Sequence, residues 1–292
     1  MIVGRDTPLL LDSRAALEGA YDLHAHTAPD SHYSDRWYDD TTYAREASDA
    51  GMGGAVLKNH YTYTGDRAYF ARQAVPEFEA YGGLCLDAAV GGLNPWAVDA
   101  ALRSSDGLCR VIWFPTISAS SYPNRKPDFA GPGVDLLTED GALKPEVYEI
   151  FEVLKGRSCT LATGHLSYPE QLLLLREAAA YGLERLVVTH ADAPYLKLGV
   201  EEQLELSKYA LLEHAAMHFL MRPGTTTPES VVEGIRAVGV SRCIMATDLG
   251  QDYNPDPIRG LLSFCSGLLR RGFTVDELRT MLHDNPRTLL AD

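Results

Sequence analysis

Tyr21-Asp22-Leu23-His24-Ala25-His26-Thr27 sets two histidines two residues apart behind a short apolar lead. In an extended strand, residues i and i+2 project to the same face. His24 and His26 would therefore aim two imidazoles at one point. Neutral imidazole is the commonest nitrogen ligand for zinc and suits several other divalent metals. Alone, such a pair also fits two singly hydrogen-bonded core histidines, so the rest of the chain must decide.

Outward from this stretch, short apolar runs recur and end on polar or ligand-type residues. They cover 20–24, 54–58, 83–90, 110–115, 160–165, 185–190, 218–222 and 243–248. The runs are continuous rather than alternating, as expected of strands buried on both faces of a parallel sheet. Helical patterns lie between them, at 41–50, 66–81, 95–102, 145–154, 169–181, 200–214, 228–238 and 256–270. Pro95, Pro145 and Pro169 open three of these, at a position where proline is favoured. Thr274-Val275-Asp276-Glu277 reads as a capping box before a terminal helix. Eight strand–helix units in 292 residues predict a single-domain, distorted α/β barrel of (β/α)8 TIM type. A doubly wound open sheet is the alternative, but no glycine-rich phosphate turn follows the first strand. Residues 116–144, rich in proline and glycine, form a long insertion after strand 4, with a hairpin signal at Asp140-Gly141. At that end of a barrel, such an insertion reads as a lid or substrate wall.

Ligand-type residues gather where these strands end. His24 and His26 close strand 1, Lys58 and His60 strand 2, His165 strand 5, His190 strand 6 and Asp248 strand 8. These are the carboxyl ends, where barrel active sites are built. The expected metal ligands are His24, His26, His165, His190 and Asp248. Asp248, Lys58 and His60 are the expected catalytic groups. Arg36, Arg67 and Arg222 sit on the same side and could grip an anionic substrate; Asn94 follows strand 3 and would touch substrate or form the Asn-Pro turn. Tyr61, Tyr63 and Tyr122 could line the pocket. His214 and His283 fall in predicted helices, His218 opens strand 7 at the far end, and His32 sits in a loop near the site.

On these residues the chain resembles the amidohydrolase superfamily of metal-dependent hydrolases, from about Tyr21 to its C-terminus. Asn285-Pro286-Arg287-Thr288-Leu289-Leu290 is similar to an ending common there, and Gly91-Gly92-Leu93-Asn94-Pro95 and Thr247-Asp248-Leu249-Gly250-Gln251 resemble an uncharacterised microbial branch. The resemblance implies a distorted barrel, a bound divalent metal and hydrolysis. Two departures stand out. Strand 4 ends Phe114-Pro115-Thr116 and offers no bridging lysine or glutamate. Lys58 and His60 appear on strand 2 instead. Lys58 either is carboxylated and bridges two metals or remains an ammonium that polarises a substrate oxygen. One or two ions are expected, zinc first, with manganese or iron(II) as alternatives.

The expected reaction is hydrolysis of an amide, imide, lactone or ester of a small molecule. The metal would lower the pKa of water to about 7, and Asp248 would take its proton. A metal-dependent decarboxylase or lyase, a phosphoesterase and a non-enzymatic metal-binding protein are the other readings. With 26 Lys+Arg against 40 Asp+Glu, the net charge is −14, which argues against nucleic acid or an anionic membrane as partner. Five scattered cysteines, no signal peptide and no transmembrane-length run point to a reducing, cytoplasmic setting. A homo-oligomer is a family-level expectation.

Overall fold

The computed structural model describes residues 7–31, 35–220 and 226–292. Its strands are β1 (Tyr21–His26), β2 (Gly54–Lys58), β3 (Glu79–Cys85), β4 (Cys109–Trp113), β5 (Thr160–Ala162), β6 (Leu186–Val188), β7 (Leu211–Ala215) and β8 (Cys243–Ala246). Neighbours in sequence pair in parallel, giving one eight-stranded sheet in the order β1 to β8. The strands are short and almost wholly buried, which explains why their apolar runs are continuous.

The helices are α1 (Thr7–Leu17), α2 (Asp40–Asp49), α3 (Gly65–Ala74), α4 (Pro95–Arg103), α5 (Pro127–Ala130), α6 (Pro145–Leu154), α7 (Tyr168–Tyr181), α8 (Val200–Ser207), α9 (Ala216–Leu220), α10 (Pro228–Val238), α11 (Pro257–Leu269), α12 (Val275–Arg279) and α13 (Asn285–Leu290). The expected capping box at Thr274 is present, its side chain accepting from Glu277 N. The insertion after β4 carries α5 and the expected hairpin, with Leu137 opposite Leu143 and Thr138 N donating to Ala142 O at 2.9 Å.

The barrel is closed at the carboxyl ends of β1 and β8. Asp248 N donates to His24 O at 2.8 Å, and His26 N to Leu249 O at 3.0 Å. The fully buried Asp22 carboxylate reinforces this seam by accepting from Thr247 N (2.9 Å), Thr247 Oγ1 (2.6 Å) and His24 N (3.1 Å). The β1–β2 register slips between Asp22 and Ala25. Such a bulge re-aims side chains, and bulges are common next to active sites.

Two expectations about elements are corrected. The helix expected over 66–81 stops at Ala74, because Pro76 cannot continue it, and Glu79–Cys85 is strand. The helix expected over 200–214 ends at Ser207; strand 7 is Leu211–Ala215 rather than 218–222, and His218 lies in α9. The apolar run Ala210-Leu211-Leu212 continues the helical pattern, and periodicity cannot tell a short buried strand from a buried helix turn. Helix α1 was not anticipated. All five cysteines are buried and free of disulfides. Among the described residues, no helix is long and apolar enough to cross a membrane.

Candidate metal centre

The strand ends bring five buried imidazoles into a ring. Centroids lie 5.3 Å apart for His24–His26, 5.2 Å for His26–His60, 5.9 Å for His60–His165, 5.1 Å for His165–His190 and 4.9 Å for His24–His190. His218, from α9, packs on His190 at 5.2 Å. Two site residues adopt a left-handed backbone, His190 at φ 60° and Asp248 at φ 52°. That conformation costs a non-glycine residue about 1–2 kcal/mol and persists where the surroundings hold it. Gly250 has φ 144°, and a Cβ there would come 1.9 Å from His26 O. Only glycine lets the chain after Asp248 pass this close to the His-x-His strand.

Asp248 Oδ1 sits 3.1 Å from both His24 Nε2 and His26 Nε2. On the far side of His24, Nδ1 lies 3.0 Å from Glu213 Oε1 and 3.1 Å from Oε2. A buried carboxylate that accepts from Nδ1–H turns Nε2 toward the centre of the site, the arrangement that orients metal-ligating histidines. Lys58 Nζ approaches that same Nε2 at 2.8 Å and lies 5.5 Å over the Trp113 ring.

The electrostatics suit a cation. Burial keeps His26 neutral, its pKa pushed down to about 4 although Asp248 pulls the other way. Burial likewise lowers His165, His190 and His218. Neutral imidazole is the form that ligates metal. His24 differs. Burial and Lys58 oppose its charge, but Glu213 and Asp248 outweigh them and raise it to about 9. Nδ1 of His26, His165 and His190, and both ring nitrogens of His218, are buried without a hydrogen-bond partner. Buried polar atoms normally have one. Of these, the His190 and His218 rings lie within ligand range of Asp248, and unmet imidazoles beside a carboxylate fit a divalent ion. Ligand atoms within 4.8 Å of one another occur in the sets His24–His26–Asp248, His24–His190–Glu213, His190–His218–Asp248 and His60–Cys85–Asp87.

His60 is held by a relay. Asp87 accepts from Thr116 N (2.8 Å), Ser118 N (2.9 Å) and, through a short bond, Thr116 Oγ1. With its proton given to Asp87, the Thr116 oxygen accepts from His60 Nδ1 at 2.7 Å. Nδ1 therefore carries the hydrogen. A side cavity of about 210 Å³ opens beside this relay, lined by Tyr61, Asp87, Ile117, Ser118, Phe129 and Pro132. Tyr122, from the insertion, lies 4.7 Å from the His165 ring and 4.9 Å from that of Tyr195. Tyr195 Oη is buried without a hydrogen-bond partner, and burial, with Tyr122, Asp248 and Glu213 nearby, keeps its proton on.

The other expected site residues are engaged in holding the loops. Arg36 donates to Asp30 Oδ2 at 2.7 and 3.1 Å. Arg67 clamps Asp40 with two bonds of 2.8 Å and reaches Thr27 O and Pro29 O at 3.1 Å each. Arg222 and His32 lie outside the described residues. Asn94 caps α4, accepting from Ala97 N at 3.1 Å and donating to Val90 O at 3.2 Å. Asn94→Ala should lower stability by about 1 kcal/mol, a typical cap value, and leave kcat unchanged; a selective loss of KM in a stable variant would instead make Asn94 a substrate contact.

A family model matches residues 19–213, from just before β1 to the Glu213 behind His24, and is described as a family of unknown function (DUF6282). The chain belongs to this family. No curated protein matches the sequence. This DUF6282 member is similar in structure to an amidohydrolase from Pseudomonas aeruginosa, with a TM-score of 0.62 and 10% identity over 96% of this chain and 98% of that one. It is also similar to the organophosphorus hydrolase from Deinococcus radiodurans, with a TM-score of 0.61 and 15% identity over 95% and 94%. A third neighbour is a putative 2-pyrone-4,6-dicarboxylic acid hydrolase from Pseudomonas putida, with a TM-score of 0.59 and 17% identity over 93% and 97%. These neighbours are amidohydrolase-superfamily members, and the DUF6282 chain shares their (β/α)8 barrel along nearly its whole length.

Sequence reasoning missed Glu213 and His218. Both lie where the helix over 200–214 and the seventh strand were misassigned. An acidic residue inside the run Leu211-Leu212-Glu213-His214-Ala215 was the available signal. His214 is on β7, paired with Asp192 at 2.7 Å.

Proposed function

We propose that the protein is a metal-dependent hydrolase that cleaves an amide, imide, lactone or ester bond of a small substrate at the His24–His26–Asp248 centre. One observation carries this reading: Asp248 Oδ1, His24 Nε2 and His26 Nε2 meet at 3.1 Å contacts in a buried pocket. Two imidazole nitrogens and a carboxylate oxygen converging in this way make a donor set that a divalent ion takes. The hydrolase names of the structural neighbours support the reaction type.

A divalent ion, zinc first and manganese or iron(II) as alternatives, would supply Lewis acidity and make water a nucleophile near neutral pH. The rest of the chemistry belongs to the chain. Asp248 takes the proton of the attacking water and hands it to the leaving group. Glu213 fixes the His24 tautomer from behind. The Lys58 ammonium, nearly free of solvent, stabilises negative charge developing on the substrate oxygen. Tyr122 and Tyr195 shield the reacting bond from bulk water, and the cavity beside His60 suits a small side group.

Chelation tests the reading. Protein stripped of metal should lose hydrolysis of a panel of lactones, activated esters and N-acyl amino acids, and regain it with zinc, manganese or iron(II). Products formed in 18O water should carry solvent oxygen. Undiminished turnover in the stripped protein, or product without the label, sinks the proposal.

A further inference from the structure

We propose that the cavity walled by the insertion after β4 is the specificity pocket for substrate, and that it takes an uncharged apolar group about the size of a benzene ring. The inference rests on the hydrolase reading and names what the substrate carries beside its scissile bond.

The cavity lies at the carboxyl ends of three neighbouring strands. Tyr61 follows β2, Ala88 follows β3, and Ile117 and Ser118 follow β4. The insertion forms the opposite wall through Phe129, Ala130 and Gly131. Two bonds seat that wall: Ser118 Oγ donates to Ala130 O at 2.6 Å, and Arg125 Nη1 donates to Gly131 O at 2.9 Å. Gly131 has φ 67°, and a Cβ there would come 3.2 Å from the Ala88 Cβ. A larger side chain at either position would narrow the gap between the walls. Thr116 bonds both Asp87, on the cavity floor, and His60, so the cavity adjoins the ring of imidazoles.

The chemistry of the lining decides the occupant. Asp87 and Ser118 are buried polar side chains of the floor, and both are spent within the protein. Asp87 accepts from Thr116 N, Ser118 N and Thr116 Oγ1, and Ser118 Oγ accepts from Ala88 N at 3.0 Å. A polar occupant would give up water and gain no hydrogen bond from these two groups. An anionic one would also face the Asp87 carboxylate. Alanine, isoleucine, phenylalanine and proline offer an apolar occupant dispersion contact instead. At about 210 Å³ the space exceeds the roughly 150 Å³ that holds benzene in an apolar protein cavity.

Two readouts on metal-loaded protein test this. The first needs no turnover: fluorobenzene, followed by 19F NMR, should bind wild type saturably and should not bind Ala88→Leu or Ala130→Leu. Ala88 is only half-buried, so Ala88→Leu keeps its fold, checked by melting, even where Ala130→Leu does not. The second compares hydrolysis of methyl acetate with that of methyl phenylacetate and benzyl acetate, and of the matching amides, so that the ring is offered on either side of the bond. The better aryl substrate should exceed its methyl counterpart in kcat/KM by a factor on the order of 10–100, and that ratio should fall about tenfold or more in the variants. No saturable binding in wild type, or undiminished binding in both variants, overturns the pocket. Binding that the variants abolish, without any aryl preference in hydrolysis, overturns its role in specificity. Binding by a protein that hydrolyses neither these compounds nor the lactones and N-acyl amino acids of the chelation test overturns the hydrolase reading, and this substrate class with it.

Discussion

Asp248→Asn should lower kcat by a factor on the order of 10²–10⁴, the usual contribution of a general acid–base group, with little change in melting temperature. The fold is spared for a reason specific to this position. Asp248 sits at φ 52°, and asparagine adopts the left-handed region more readily than other non-glycine residues. Asp248→Ala would mix backbone strain with lost chemistry. The amide keeps one acceptor oxygen near His24 and His26 but cannot take a proton from water. Burial works against charge on Asp248, yet His24 and His190 hold its carboxyl well below the usual range, so it is an anion at neutral pH. Turnover and thermal melting measured together decide the matter: near-wild-type kcat in a folded Asp248→Asn protein removes Asp248 from the reaction.

Asp22→Ala should be the most destabilising single change at the barrel seam, costing about 3–5 kcal/mol. The fully buried carboxylate accepts from Thr247 N, Thr247 Oγ1 and His24 N at 2.6–3.1 Å, and from Tyr43 Oη at 3.2 Å. Alanine leaves two backbone N–H groups with no water to turn to. Burial raises the Asp22 pKa while the Thr247 and His24 donors pull it back, so the bonds only partly offset desolvation. At about 2–4 °C per kcal/mol for a domain of this size class, melting should fall by roughly 10 °C. Urea denaturation gives the independent check. A shift within about 2 °C would mean that the β1–β8 closure does not depend on Asp22.

Both residues show what a sequence reveals and what it conceals. Asp248 was legible because it ends a continuous apolar run, as His165 and His190 do, and parallel strands send their carboxyl ends to one side of a barrel. His24 and His26 were legible because strand alternation puts them on one face. Asp22 stood in the same stretch and passed unnoticed: its partner, Thr247, is 225 residues away.

Chain order, strand ends and the gathering of histidines and Asp248 at one end of the barrel thus follow from local pattern alone, since periodicity and residue chemistry act over a few positions. Three things were decided only by the tertiary structure. Arg67 could be told from a substrate anchor only once the fold brought Asp40 to its guanidinium. Glu213 and His218 joined the site only once β7 proved to be Leu211–Ala215. The Asp248 oxygens found their neighbours, His24 and His26 on one side and His190 on the other, only when β1 and β6 were seen around them. Sequence records which groups a chain owns; which of them face one another depends on closing the sheet, where burial and pairing across long separations outweigh local preference.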